Sequence, residues 1–118
     1  MEKNSAAKSV NIVYKKLGET PIQAIFRFKL ENPAYKDIAM TYAGRLDPMA
    51  EGLLILLSGD EKNNKDEYLG LDKTYVCEVL WGFETDSLDV LGKVVKSESH
   101  KVEREEVEKI LKNSKGKF

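Results

Sequence analysis

The chain predicts a mixed α/β fold, and three stretches carry that prediction. Thr20-Pro21-Ile22-Gln23 is a helix start: a hydroxyl cap, proline at the first helical position and glutamine three residues after the cap. Leu53-Leu54-Ile55-Leu56-Leu57 is a continuous apolar run of strand length, the pattern of a strand covered on both faces. Thr74 to Phe83 alternates, so Tyr75, Cys77, Val79, Trp81 and Phe83 share one face by the period of two.

The other elements follow in chain order. Met1 to Lys8 reads as a loose polar tail, which sets residues 1–9 apart from a folded region over 10–118. Val10 to Tyr14 is a short β-prone stretch, followed by a turn at Gly18. In the helix that Thr20 opens, Ile22, Ile25, Phe26 and Leu30 form the apolar face expected to enter the core. Asn32-Pro33 ends that helix, and a loop leads to Asp47. After the apolar strand, Ser58-Gly59-Asp60 is a break and Glu61 to Leu69 is polar and helix-compatible. Val102, Val107, Ile110 and Leu111 mark a final amphipathic helix. Its acids lie near the start and Lys109 and Lys112 near the end, the arrangement a helix dipole favours. Lys115-Gly116-Lys117-Phe118 then stops the chain.

Composition narrows the function classes. At 118 residues the chain is one domain's worth, or part of one. Its single cysteine, Cys77, has no internal disulfide partner and no secretory signal is present, which points to a reducing cytoplasm. Leu53 to Leu57 is far too short to cross a membrane. One cysteine and one histidine, His100 in a polar segment, leave no ligand set for a Cys/His zinc site, so no metal is expected. The net charge of -1 gives no general attraction for phosphate. The halves differ, however: the first fifty residues carry eight Lys/Arg against five Asp/Glu, and the remainder eleven against fifteen. Phosphate contact should favour Lys15, Lys16, Arg27, Lys29, Lys36 and Arg45, each of which also reads as ordinary solvated surface.

The run Tyr42-Ala43-Gly44-Arg45-Leu46-Asp47-Pro48-Met49-Ala50-Glu51-Gly52-Leu53-Leu54 places one carboxylate on a loop bounded by glycine and proline. Pro48 fixes its own φ and biases Asp47 towards an extended backbone, which stiffens the acid's support. Read alone, Asp47 serves equally well to turn the chain.

This run resembles the catalytic-loop signature of the TruB family of tRNA pseudouridine synthases, Gly-x-Leu-Asp-Pro-x-Ala-x-Gly-x-Leu, with the family's aspartate on Asp47. Tyr14-Lys15-Lys16-Leu17-Gly18-Glu19-Thr20-Pro21 is similar to the family's first motif at Lys15 and Gly18 and departs from it at Lys16 and Pro21. Leu71-Asp72-Lys73-Thr74-Tyr75 resembles its Asp-Lys-x-Tyr motif, and Gly82 to Gly92 its Gly-x-x-Thr-Asp-Thr-x-Asp-x-x-Gly motif. The resemblance implies a pseudouridine synthase-like sheet, mixed and largely antiparallel, flanked by helices. It covers the N-terminal part of that catalytic domain, so the fold is expected to be incomplete at the C-terminus, with a missing C-terminal half or partner chain.

The implied activity is isomerisation of uridine in the T-arm stem-loop of tRNA. The base is detached from ribose C1′, turned and reattached through C5, which a carboxylate can initiate as nucleophile or base without a cofactor. Asp47 takes that role, by attack or by proton abstraction at C2′ on a glycal route. The uridine has to be flipped from its stack. Tyr75 is implied as the aromatic against the flipped base, although by spacing alone it is a strand aromatic. Asp89 is implied in a charge network with Asp47 and an arginine beyond Phe118, although alone Asp86 and Asp89 read as turn acids. The family usually has histidine where this chain has Tyr42, which can stack on a neighbouring base. Arg45 competes for that position, and its Gly-Arg-Leu-Asp setting is common in ribosomal-RNA pseudouridine synthases. A ribosomal-RNA substrate and a noncatalytic structured-RNA-binding homologue are therefore the alternative readings, and little or no activity is expected of the chain by itself.

Overall fold

The computed structural model describes residues 7–116. The chain divides into two compact units, Met1–Thr74 and Tyr75–Phe118. Residues 1–6 of the expected tail and residues 117–118 of the expected stop lie outside the described residues.

The first unit is built on a three-stranded antiparallel sheet. Its strands are β1 (Val10–Lys15), β2 (Met40–Ala43) and β3 (Gly52–Ser58), in the order β1-β3-β2. Tyr14 pairs with Leu53 and Ile12 with Ile55 across β1–β3, and Tyr42 pairs with Leu56 across β2–β3. The apolar run thus forms the central strand. Leu54, Leu56 and Leu57 are buried, each side chain contributing about 1.5–3 kcal/mol. Leu53 is 72% exposed, so the cover expected on both faces fails at the start of the strand.

Helix α1 (Pro21–Glu31) lies against this sheet. Its start is as expected: Thr20 Oγ1 accepts from Gln23 N at 3.2 Å, and Gln23 Oε1 accepts from Thr20 N at 2.8 Å. The buried face differs from the expected one. Pro21, Ala24, Ile25 and Phe28 are buried, whereas Ile22, Phe26 and Leu30 are exposed as a second stripe four residues apart. Ala24, fully buried, lets the helix approach the strands closely, and Phe28 meets Tyr35 edge to face at 5.0 Å between ring centroids. These tertiary partners select the face, not the apolar count along the helix. The Tyr35 hydroxyl also accepts from Lys8 N and Asn11 Nδ2, tying the chain before β1 to the core.

The polar segment after β3 forms a 3-10 turn, Gly59–Asn64, before the short helix α2 (Lys65–Leu69). Two asparagines, weak helix formers, end the 3-10 turn where α2 begins. Tyr68 Oη donates to Glu61 Oε2 at 2.6 Å across them.

The second unit holds a two-stranded antiparallel ladder, β4 (Phe83–Thr85) and β5 (Val94–Ser97), and helix α3 (Arg104–Asn113). The strand expected from Thr74 to Phe83 does not form: Thr74 to Leu80 is neither strand nor helix, and only Phe83 enters a ladder. A strand needs a neighbour for its backbone N–H and C=O groups, and among the described strands none pairs with this stretch. Its alternating aromatics are consequently exposed: Tyr75 66%, Trp81 51% and Phe83 57%. Helix α3 carries Glu105 and Glu106 in its first turn and Lys112 in its last, as expected. Ile110 and Leu111 on its apolar side are exposed. Mixed α/β is therefore correct for the chain, with antiparallel pairing in both sheets.

Candidate active site

The loop from Gly44 to Glu51 joins β2 to β3 and presents Asp47 to solvent. Its entry depends on Gly44, whose φ of +80° suits glycine and where an added Cβ would lie 3.4 Å from Lys73 Cε. Lys73 belongs to the Asp-Lys-x-Tyr motif, so that motif begins beside the loop. Leu46 is buried and anchors the middle. Asp47 O then accepts from Ala50 N at 2.9 Å, closing a four-residue turn with Pro48 at its second position.

The first motif clamps the same turn from the other side. Pro48 O accepts from Gly18 N at 2.6 Å and from Lys15 Nζ at 3.3 Å. Lys15 Nζ also donates to the carbonyls of Lys16 at 3.1 Å and Glu19 at 2.5 Å. The Lys15 side chain is fully buried, and its three donors are spent on three backbone oxygens. This corrects the surface phosphate contact expected of Lys15: its charge sits inside the protein and joins the first motif to the residue after Asp47. Lys16 is exposed, while its backbone N–H donates to Glu19 Oε1 at 3.0 Å.

Glu19 and Arg27 complete the clamp. Arg27 grips both carboxylate oxygens, Nε to Oε2 at 2.8 Å and Nη2 to Oε1 at 2.9 Å, and also donates to Tyr14 O at 2.7 Å. The bidentate guanidinium, helped by the Lys16 N–H, holds the Glu19 carboxyl at about 2, well below the usual carboxylate range. Arg27 is thus committed to the fold and withdrawn from the set expected to meet phosphate. Pro48 O, Glu19 and Arg27 form the part of the site that sequence reasoning missed. Arg27 lies eight residues from Glu19, and no local pattern announces the pair.

Arg45 is exposed two residues before Asp47. Tyr42 is half-buried in β2, with the Lys65 ammonium 5.3 Å from its ring centroid. Tyr75 opens the second unit and is exposed. Asp89 lies in the β4–β5 connection, where its Oδ1 accepts from Ser87 Oγ at 2.7 Å and Leu91 N at 2.9 Å. The Ser87 hydroxyl first, then the Leu91 N–H, lowers its carboxyl below the usual value. Asp86 Oδ1 accepts from Lys93 N at 2.9 Å in the same turn. Asp47, Arg45, Tyr42, Lys15 and Lys16 thus share the first unit, while Tyr75 and Asp89 belong to the second. Among the described residues, no group of three or more His, Cys, Asp or Glu side chains could hold a metal ion, and no helix is long and apolar enough to cross a membrane.

An exposed carboxylate on a turn fixed by a buried ammonium defines a loop-borne acid site on an antiparallel sheet. Residues 34–118 match the family described as TruB family pseudouridylate synthase (N terminal domain), and the chain belongs to that family. It is 33% identical over 107 residues to the tRNA pseudouridine synthase B of Mycoplasmopsis pulmonis, covering 91% of this chain and 37% of that protein. The corresponding protein of Caldicellulosiruptor saccharolyticus is 39% identical over 75 residues, 64% of this chain and 26% of the relative. That of Aquifex aeolicus is 31% identical over 107 residues, 91% of this chain and 36% of the relative. The chain therefore spans between about a quarter and two-fifths of the length of these relatives. No solved structure matches it.

Proposed function

We propose that this chain provides the catalytic-loop part of a tRNA pseudouridine synthase that isomerises a uridine in the T-arm loop. One observation carries the reading: the aspartate of the family signature, Asp47, is exposed on a turn whose backbone is fixed by Ala50 N, Gly18 N and Lys15 Nζ. The names of the relatives, tRNA pseudouridine synthase B, support the substrate class.

In this reading Asp47 acts on the nucleoside in its ionised form. It either attacks the flipped uridine or removes the C2′ proton, and in both cases the base leaves C1′ and returns through C5. A fixed support favours catalysis because the carboxylate need not be ordered when the substrate arrives. Tyr75 supplies an aromatic face for the extruded uracil. An arginine supplied from elsewhere would hold the Asp47 carboxylate by charge-assisted hydrogen bonds, as the family resemblance implies. Arg45 and Lys16, both exposed, meet the RNA backbone.

The test offers T-arm stem-loop RNA beside ribosomal-RNA hairpins to the chain and to its Asp47→Asn variant. Each protein is assayed alone and with the C-terminal portion of a TruB relative, and pseudouridine is read by carbodiimide primer-extension stops. Stops in the T-arm that require Asp47 support the reading. Stops confined to a ribosomal hairpin reassign the substrate, and RNA binding without product in any combination favours a noncatalytic binder.

A further inference from the structure

The polar excursion after β3 returns onto the sheet, with both the Gly59–Asn64 turn and α2 packing on β2. There it brings the Lys65 ammonium to 5.3 Å from the centroid of the Tyr42 ring. That separation lies within the range of cation–π attraction. Tyr42 is fixed from behind, since it pairs with Leu56 in the ladder and packs against the core. Lys65 is half-buried, and among the described residues no carboxylate lies within ion-pair distance of its nitrogen. It is the opposite of Lys15, whose ammonium is consumed by three carbonyls.

We propose that Lys65 is a phosphate-contacting residue for the RNA and that Tyr42 is its positioning residue. The inference rests on the RNA-modifying reading above. The ring attracts the ammonium electrostatically and leaves N–H donors for an anion, so the pair presents a preplaced cation instead of a freely moving lysine. Tyr42 stands five residues before Asp47, a chain reach of at most about 17 Å, so the phosphate belongs to the RNA near the reacting uridine.

The experiment measures binding of a fluorescein-labelled T-arm stem-loop by anisotropy over a series of KCl concentrations. The full chain is compared with Lys65→Gln, Lys65→Arg, Tyr42→Phe, Tyr42→Leu and the Tyr42→Leu/Lys65→Gln double variant. Loss of the charge in Lys65→Gln weakens binding about three- to tenfold at low salt and lowers the salt slope by about one. Lys65→Arg and Tyr42→Phe keep the wild-type slope, because charge and ring are retained. Tyr42→Leu loses part of the affinity, and the double variant is no weaker than Lys65→Gln alone. In parallel, the ε-methylene protons of Lys65 show an upfield ring-current shift by NMR that disappears in Tyr42→Leu.

Binding indifferent to Lys65→Gln overturns the inference and leaves the RNA reading standing. Additive losses in the double variant overturn the positioning role. Absence of the ring-current shift removes its geometric basis, and a wild-type chain that binds no RNA at any salt concentration, alone or with the C-terminal portion of a TruB relative, overturns both readings.

Discussion

At the residue scale, the main feature is a lysine that acts as an internal tie. Replacing Lys15 with methionine keeps much of its length but leaves the Lys16 and Glu19 carbonyls without the ammonium, while Pro48 O keeps Gly18 N. We expect a loss of about 2–4 kcal/mol in urea unfolding. Arginine should not restore it, because a planar fork cannot replace a point donor serving three converging oxygens. The first-motif residues were legible as a pattern, but the direction of the Lys15 side chain was not: a charged residue ending a strand looks like surface until the loops that bury it are folded around it. Glu19 makes a prediction in pH. Its folded carboxyl titrates near 2 because of Arg27, below its ordinary unfolded value of about 4.3. The stabilisation is therefore full above about pH 5 and is lost as pH falls towards 2. Wild type should exceed Glu19→Gln by on the order of 1–3 kcal/mol at neutral pH, and the two denaturation curves should converge in acid.

At the element scale, local signals were readable and partner-dependent ones were not. The start of α1 is set by bonds within four residues, so its capping box was visible in Thr20 and Gln23. Thr20→Ala should cost about 1 kcal/mol, measured by thermal unfolding of the first unit. The buried face of α1 depends on the strands and on Tyr35: of Ile22, Ile25, Phe26 and Leu30, which the sequence alone favoured, Ile25 is buried and the other three are exposed. The strand expected from Thr74 to Phe83 failed for a related reason: alternation describes a face but provides no hydrogen-bonding neighbour. In the β4–β5 connection, Gly92 is required by space. A Cβ there would collide with Ser87 Oγ and lie 2.7 Å from Asp86 Oδ1. Gly92→Ala should disrupt the bonds around Asp89, seen as displaced amide NMR resonances of Leu91 and Lys93. Leu88→Gly should stabilise the same turn by about 1 kcal/mol, because Leu88 holds a φ of 64° that costs a side-chain-bearing residue energy.

At the scale of the whole molecule, the two units differ in how they are held. The first has a buried cluster of Val13, Ala24, Ile25, Phe28, Tyr35, Leu54 and Leu56, whereas none of the described residues from Tyr75 onward is buried. Slow hydrogen exchange should therefore be confined to β1, β3 and α1, with the segment from Tyr75 onward exchanging rapidly. Its exposed Val76, Leu80, Trp81 and Val90 also predict concentration-dependent association by sedimentation. The family was legible because its motifs are local strings around Asp47, Tyr75 and Asp89. How the first motif holds the Asp47 turn was not, since Lys15 and Pro48 lie thirty-three residues apart. The role proposed for Asp47 is to start a reaction that replaces the hydrogen on uridine C5 with the glycosidic bond. Its most direct test is tritium release from T-arm RNA carrying [5-3H]uridine. The chain would be fused to the part of the Mycoplasmopsis pulmonis relative that lies beyond the matched region, and compared with the same fusion carrying Asp47→Asn. Release by the first and none above background by the second is expected. Equal release by both, or no release by the first while the intact relative is active, would contradict it.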